Sequence, residues 1–340
     1  MTEESPDRTS AHRETIRAFS RPGGPLDPAG PNATTANPAW FRRGNVERRT
    51  PERWALHRRL LEETRAEHPT ARFERRALVL AGPPGAGKST VLRDVLGLDR
   101  GAWVTIDADD FKHKLLREAL ADGSYESFLK PAAVKEREQA GEPFYPLELA
   151  SLVHEESSFL AVQMRREAFA DGLNVVIDSV LSSPDKAVQL GGHLVAAGYR
   201  VEVVDVEVPF ELSTQRIAQR WRESYENAFA TGEGMGGRWV PSVYARDVFD
   251  ANTGRARSQE SAHRLASECP NVARYRRFWT AASDAPRVVE VDLARVRAGA
   301  PLIPHAHAAT RAASLTNRPT SRHHVRGPVS PAGGEQDLER

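Results

Sequence analysis

The chain has 340 residues, 40% of them hydrophobic, enough for one large or two modest cores, which excludes a chain disordered throughout. Its 47 Lys and Arg offset 46 Asp and Glu, so net charge gives no reason to expect a nucleic-acid or membrane partner. One cysteine, Cys269, excludes an intramolecular disulfide framework and any zinc site built from several cysteines, and suits a reducing compartment.

The opening residues, with Glu3, Glu4, Asp7, Arg8 and His12, lack the apolar core of a secretory signal. No later run reaches the length of a membrane span, so a cytoplasmic protein is expected. Residues 1–48 are rich in Pro and Gly, with Pro22, Gly23, Gly24 and Pro25, and carry neither hydrophobic period; they read as a disordered tail. Thr50 followed by Pro51 predicts a capped helix through Trp54, Leu56, Leu60 and Leu61.

Short apolar runs follow at 77–82, 103–107, 174–178, 201–208 and 288–291. They alternate with helical stretches at 90–98, 111–121, 147–170, 185–197 and 211–223. Strands buried on both faces and joined by helical crossovers predict an α/β fold: a P-loop NTPase type, doubly wound parallel sheet with flanking helices, as one domain over 49–298. The segment 255–285, with Arg274, Tyr275, Arg276, Arg277, Phe278 and Trp279, reads as a packing helix, with a partner surface as the alternative. A disordered tail is expected at 299–340, where His305, His307, His323 and His324 read as solvated.

Ligands of such sheets bind beyond the carboxyl ends of the strands, so the residues after each run carry the chemistry. After the first come Gly82, Pro83, Pro84, Gly85, Ala86, Gly87, Lys88, Ser89 and Thr90, matching the phosphate-binding pattern of Gly, four residues and Gly-Lys-Ser/Thr between strand and helix. Backbone N–H groups there wrap a phosphate of ATP, Lys88 reaches the terminal phosphates, and the Ser89 hydroxyl ligates Mg2+. After the second run stand Asp107, Asp109 and Asp110, on a strand expected beside the P-loop strand. One of them would align or deprotonate an acceptor hydroxyl while another caps the helix. The third run ends in Asp178, placed to hold magnesium or a substrate hydroxyl. Beyond the fourth lie Arg216, Arg220 and Arg222, then Arg238 after the Gly-rich stretch 232–237, read as a mobile arm over the phosphates.

The order and spacing of these pieces, from about Ala77 to Asp250, resemble the zeta toxin family of P-loop kinases. The resemblance implies transfer of the ATP γ-phosphate to a sugar hydroxyl of UDP-N-acetylglucosamine, a nucleotide sugar, and a small antitoxin protein as partner. It selects Asp109, the second acid of Asp-x-Asp before Phe111-Lys112, as catalytic. It places Lys88, Arg220 and Arg238 on ATP phosphates, and Asp178, Ser179, Glu155, Glu156 and Ser157 at the substrate cleft. Two adjacent helical acids cannot share a face, so at most one of Glu155 and Glu156 is expected to point inward. Where relatives carry a small residue and then threonine after the third-strand acid, this chain has Ser179 and Val180. That departure keeps open another acceptor (an antibiotic, a different nucleotide sugar or a polynucleotide end) or an ATP-binding regulatory module.

Overall fold

The apolar runs leave their backbone groups to be satisfied by neighbouring strands, and they assemble accordingly. The computed structural model describes residues 8–307. Within them one seven-stranded sheet holds β1 (Arg76–Ala81), β2 (Val104–Ile106), β3 (Val175–Asp178), β4 (Arg200–Glu207), β5 (Val272–Trp279), β6 (Val288–Ala294) and β7 (Ile303–Pro304), ordered β2-β3-β1-β4-β5-β6-β7. The first five are parallel, whereas at the far edge β6 pairs antiparallel with β5, and β7 antiparallel with β6. The expected α/β architecture is present, and β1 is buried at its centre. The neighbour of β1 is β3 and not β2: Ala77 pairs with Val175, and β2 pairs beyond it. Asp178 therefore ends a strand beside the P-loop, and the Asp107 to Asp110 group lies one strand further out.

The helices are α1 (Arg8–Phe19), α2 (Pro51–Ala66), α3 (Lys88–Leu96), α4 (Ala108–Asp122), α5 (Ala132–Gln139), α6 (His154–Asp171), α7 (Pro184–Ala196), α8 (Phe210–Thr231), α9 (Ser242–Asp247) and α10 (Arg257–Glu268). Thr50 caps α2 by accepting from the Arg53 N–H, with Pro51 in its first turn. The stretch expected as one helix from 147 divides into a 3-10 segment, Pro146–Val153, and α6.

Two expectations are corrected. Residues 8–48 are not a disordered tail: Ile16, Leu26 and Phe41 are fully buried, and α1 is pinned where His12 bridges Glu142 at 2.7 Å and Glu148 at 3.1 Å. Those carboxylates outweigh the cost of burial and raise the His12 pKa. Segment 255–285 is not one packing helix but α10 followed by β5. Its arginines suit a strand because each meets an acid on a neighbour: Arg276 with Glu202, Arg277 with Asp205 and Arg274 with Asp292, at 2.7 to 3.0 Å. Residues 299–307 include β7, whose Ile303 pairs with Ala294. The rest of the expected C-terminal tail, with His323 and His324, lies outside the described residues, as do residues 1–7.

Candidate active site

The site lies where β1, β2 and β3 end. As β1 leaves the sheet, Gly82 takes φ +140°, and a Cβ there would stand 2.2 Å from the Val206 carbonyl oxygen. Only glycine permits that turn. The loop over Pro83, Pro84, Gly85, Ala86 and Gly87 then delivers Lys88, Ser89 and Thr90 to the first turn of α3, with both hydroxyl residues exposed. Helix α8 braces the loop from outside: the Ser213 hydroxyl donates to the Pro84 carbonyl at 2.7 Å and Arg216 donates to that of Gly85 at 3.3 Å. Lys88 Nζ donates to the Gly82 carbonyl at 3.0 Å and stands 3.5 Å from Asp178 Oδ1.

Asp107 ends the second strand and caps α4, accepting from the Asp109 N–H at 2.9 Å. Asp109, one residue into α4, meets Lys112 Nζ at 3.0 Å on one oxygen and the Arg238 guanidinium on the other. The two carboxyls are driven apart in pKa. Burial works against an ionised Asp109, but Lys112 and Arg238 outweigh it and hold the carboxyl down at about 2. At Asp107, burial acts together with repulsion from Asp109 and Asp178 and pushes the carboxyl up to about 7. Asp110 is exposed on the far side of the cap.

Arg238 is delivered by a loop that packs on Tyr145 and Leu147 in this structure. Gly236 has φ +72°, and a Cβ on it would sit 2.2 Å from Tyr145 Cβ. The Leu147 N–H donates to the Met235 carbonyl at 2.9 Å. Arg220 reaches solvent from α8, yet the protein packed around its guanidinium and the Arg238 charge lower its pKa while Asp109 and Asp107 oppose them, so it belongs to the same cluster. Arg216 turns onto the P-loop, and Arg222 faces Glu226 at the outer surface.

The residues expected around the acceptor divide. Glu155 is exposed at the start of α6. Glu156 is fully buried, held by Arg53 at 2.6 and 2.7 Å and by His57 at 2.6 Å, and Ser157 is buried with its hydroxyl donating to the His154 carbonyl. These partners leave Glu156 and Ser157 as parts of the scaffold. Ser179 Oγ accepts from the Leu181 N–H at 3.1 Å and keeps its own proton to donate, while Val180 packs on Val248, Phe249 and Ala256. Sequence reading missed Lys112, His154 and Tyr244. Burial depresses the His154 imidazole, with Lys112 adding to it; the Tyr244 ring is exposed, and the protein around its hydroxyl, with the Asp109 charge, raises the phenol. Lys112 was the detectable one, since it stands one helical turn from Asp109.

Residues 135–278 match the family model described as Zeta toxin. Among curated proteins, the guanylate kinase of Prochlorococcus marinus (strain MIT 9312) is 35% identical over 63 residues, 18% of this chain. The chain spans 33% of that relative's length. Among solved structures, the AvrRxo1-ORF1:AvrRxo1-ORF2 complex with sulphate ions superposes with a TM-score of 0.52 at 21% identity, over 80% of this chain and 75% of that one. The AvrRxo1-ORF1:-ORF2 complex with ATP does so with a TM-score of 0.52 at 20% identity, over 84% and 77%. At such identities these likenesses concern the fold. The family match begins after both the P-loop and Asp109, and it covers α6, Asp178, Arg220 and the Arg238 loop.

Proposed function

We propose that this chain, zeta-toxin-like over residues 135–278, is an ATP-dependent kinase acting on a hydroxyl acceptor, with a sugar hydroxyl of UDP-N-acetylglucosamine as the first candidate. The observation that carries the reading is the convergence of Lys88, Asp178, Asp109, Arg220 and Arg238 at the carboxyl ends of adjoining strands. The domain so proposed spans 49–298 with residues 8–48 packed against it. A cytoplasmic location agrees with the absence, among the described residues, of any helix long and apolar enough to cross a membrane. An antitoxin protein remains the proposed partner by family resemblance.

Phosphoryl transfer asks mainly for alignment and for charges placed around the moving phosphoryl group. Lys88 and the P-loop N–H groups hold the β- and γ-phosphates. Arg220 and Arg238 meet the charge spread over the transferring oxygens. Asp109 is an ionised carboxylate at neutral pH and accepts the hydrogen bond of the acceptor hydroxyl, orienting its lone pair in line. A strong base is not required, because the nucleophile's proton is lost late in a loose transition state. Arg238 and Lys112 each take one oxygen of Asp109, and the remaining lone pairs leave the carboxylate able to accept from the acceptor hydroxyl.

No group of three or more His, Cys, Asp or Glu that could hold a metal ion occurs among the described residues. The exposed Ser89 hydroxyl and the Asp178 carboxylate suit magnesium that shares its ligands with nucleotide phosphates. Bound there, magnesium would neutralise charge across the β- and γ-phosphates. Ser179 and Val180 favour a second reading in which the kinase takes another hydroxyl acceptor. ATP consumption by purified protein, with and without UDP-N-acetylglucosamine and with Asp109→Asn as control, tests both. Consumption that requires the sugar and disappears in the variant supports the first reading. Intact ATP binding with no response to the sugar overturns it and leaves the second.

A further inference from the structure

Between the buried Phe41 and the Thr50 cap, residues 41–49 form a tight hairpin. Phe41 bridges Arg49, the Arg42 N–H donates to the Arg48 carbonyl at 2.8 Å, and the Asn45 side chain accepts from the Glu47 N–H at 2.8 Å. The turn holds Arg43 at φ +55°, a left-handed conformation uncommon for a side chain of this kind. The hairpin brings Arg42, Arg43, Arg48 and Arg49 around one cavity of about 520 Å³. None of the four pairs with a carboxylate among the described residues, although Arg53, Arg58 and Arg59 on the adjoining α2 all do, with Glu156, Glu62 and Glu118. Glu47 and Glu156 act on Arg49 only through space, after the larger effect of burial.

Arg49 carries the second observation. Its guanidinium carbon lies 4.8 Å from the Phe159 ring centroid, while Nε and Nη1 are buried and have no hydrogen-bond partner among the described residues. A guanidinium lying over an aromatic ring keeps its remaining N–H donors for a charged acceptor such as a phosphate. Four like charges converging with no carboxylate paired to any of them repel one another, and an anion in the cavity relieves that repulsion.

We propose that this hairpin is a second anion site, separate from the P-loop, which takes a phosphate-bearing small molecule. The concavity is of small-ligand size, which favours a compact polyanion over a flat macromolecular surface. Phe159 belongs to α6, the helix that opens with His154 and Glu155 near Asp109, about 7.5 Å along the axis away. The phosphate can therefore belong to the acceptor itself or to a separate ligand.

Inorganic pyrophosphate titrated calorimetrically into the full chain tests the site, with Lys88→Ala throughout to weaken P-loop binding. One equivalent should bind. Combining Arg43→Gly, which suits the turn, with Arg48→Gln should weaken binding at least tenfold without moving the melting temperature. No binding in the Lys88→Ala chain, or binding indifferent to the hairpin changes, overturns the proposal. Kinetics of the hairpin variant with Lys88 intact separate the two sources, and this arm alone rests on the kinase reading. A raised KM for UDP-N-acetylglucosamine at constant kcat assigns the site to the acceptor. An unchanged KM, with pyrophosphate binding established, assigns it to a separate phosphate ligand.

Discussion

The Arg238 guanidinium and the Asp109 carboxylate form an ion pair that joins the loop after α8 to the first turn of α4. With Lys112 on the other oxygen, it keeps Asp109 at about 2 despite burial. Asp109 therefore stays ionised through any ordinary assay, and loss of rate near neutral pH cannot come from its titration. Its lowered pKa contributes stability that is full above about 4 and is lost as pH falls through about 2.

Replacing Arg238 by alanine removes one of the two cations that hold Asp109 down. The Asp109 carboxyl should titrate higher than in the parent, as followed by carbon NMR of labelled aspartate. If Arg238 also stabilises the transferring phosphoryl group, kcat should fall by about 10²- to 10³-fold while ATP still binds. A variant with the parent's kcat would remove Arg238 from the reaction.

Glycines 234 and 236 offer a paired test of how the Arg238 loop is held. Both have positive φ, but a Cβ at Gly234 meets open space and one at Gly236 collides with Tyr145. Gly234→Ala should cost about 1 kcal/mol of stability through backbone strain alone. Gly236→Ala adds the collision, so it should cost more and lower kcat by displacing Arg238. Equal losses in unfolding and turnover experiments would mean that the loop does not position this arginine.

The P-loop was legible because its chemistry is local: glycines, lysine and serine at fixed spacing between an apolar run and a helix. Asp178 was legible for the same reason. What escaped depends on partners distant in sequence. The order β2-β3-β1 cannot be read from the runs themselves, so Asp109 was expected one strand too near. Strand β5 hid because Arg274, Arg276 and Arg277 look solvated until Asp292, Glu202 and Asp205 are seen across from them. Likewise α1 depends on His12 meeting Glu142 and Glu148, some 130 residues later. Glu156 looked like a cleft residue because Arg53 and His57, which hold it buried, lie about 100 positions earlier.

Glu155 and Glu156 should respond to substitution in opposite ways. Burial opposes an ionised Glu156, but hydrogen bonds from His57 and Arg53 overcome it and hold the carboxyl at about 2. Removing one partner from such a buried pair commonly costs 3–5 kcal/mol, roughly, because the other charge is left stranded. Glu156→Ala should accordingly melt far below the parent in calorimetry. Glu155→Ala, on an exposed side chain, should shift stability by about 0.5 kcal/mol or less and, if it meets the acceptor, raise the acceptor KM. A stable Glu156→Ala protein with a selective defect in acceptor binding would restore Glu156 to the cleft.

Strand β4 carries a second acid pair whose effect should appear in stability. Asp205 pairs in register with Ala81 at the end of β1, and Glu207 lies two residues on, on the same face; both are fully buried. Arg277 and the Tyr275 hydroxyl serve Asp205, while Glu207 receives a bond from the Ser258 hydroxyl at 2.8 Å. Burial first, and the Asp205 charge second, push the Glu207 carboxyl up to about 10, so at neutral pH it is protonated and bonded to Asp205. A pKa raised on folding gives stability that is complete below the unfolded value near 4.5 and is lost as pH rises through about 10. Glutamine has nearly the same shape, can accept from Ser258 and can donate to Asp205 without first taking up a proton. Glu207→Gln should therefore melt like the parent near pH 4.5 and increasingly above it at higher pH, by up to about 1.4 kcal/mol per pH unit. A Glu207→Gln melting temperature that tracks the parent across this range would mean that Glu207 is not held protonated beside Asp205.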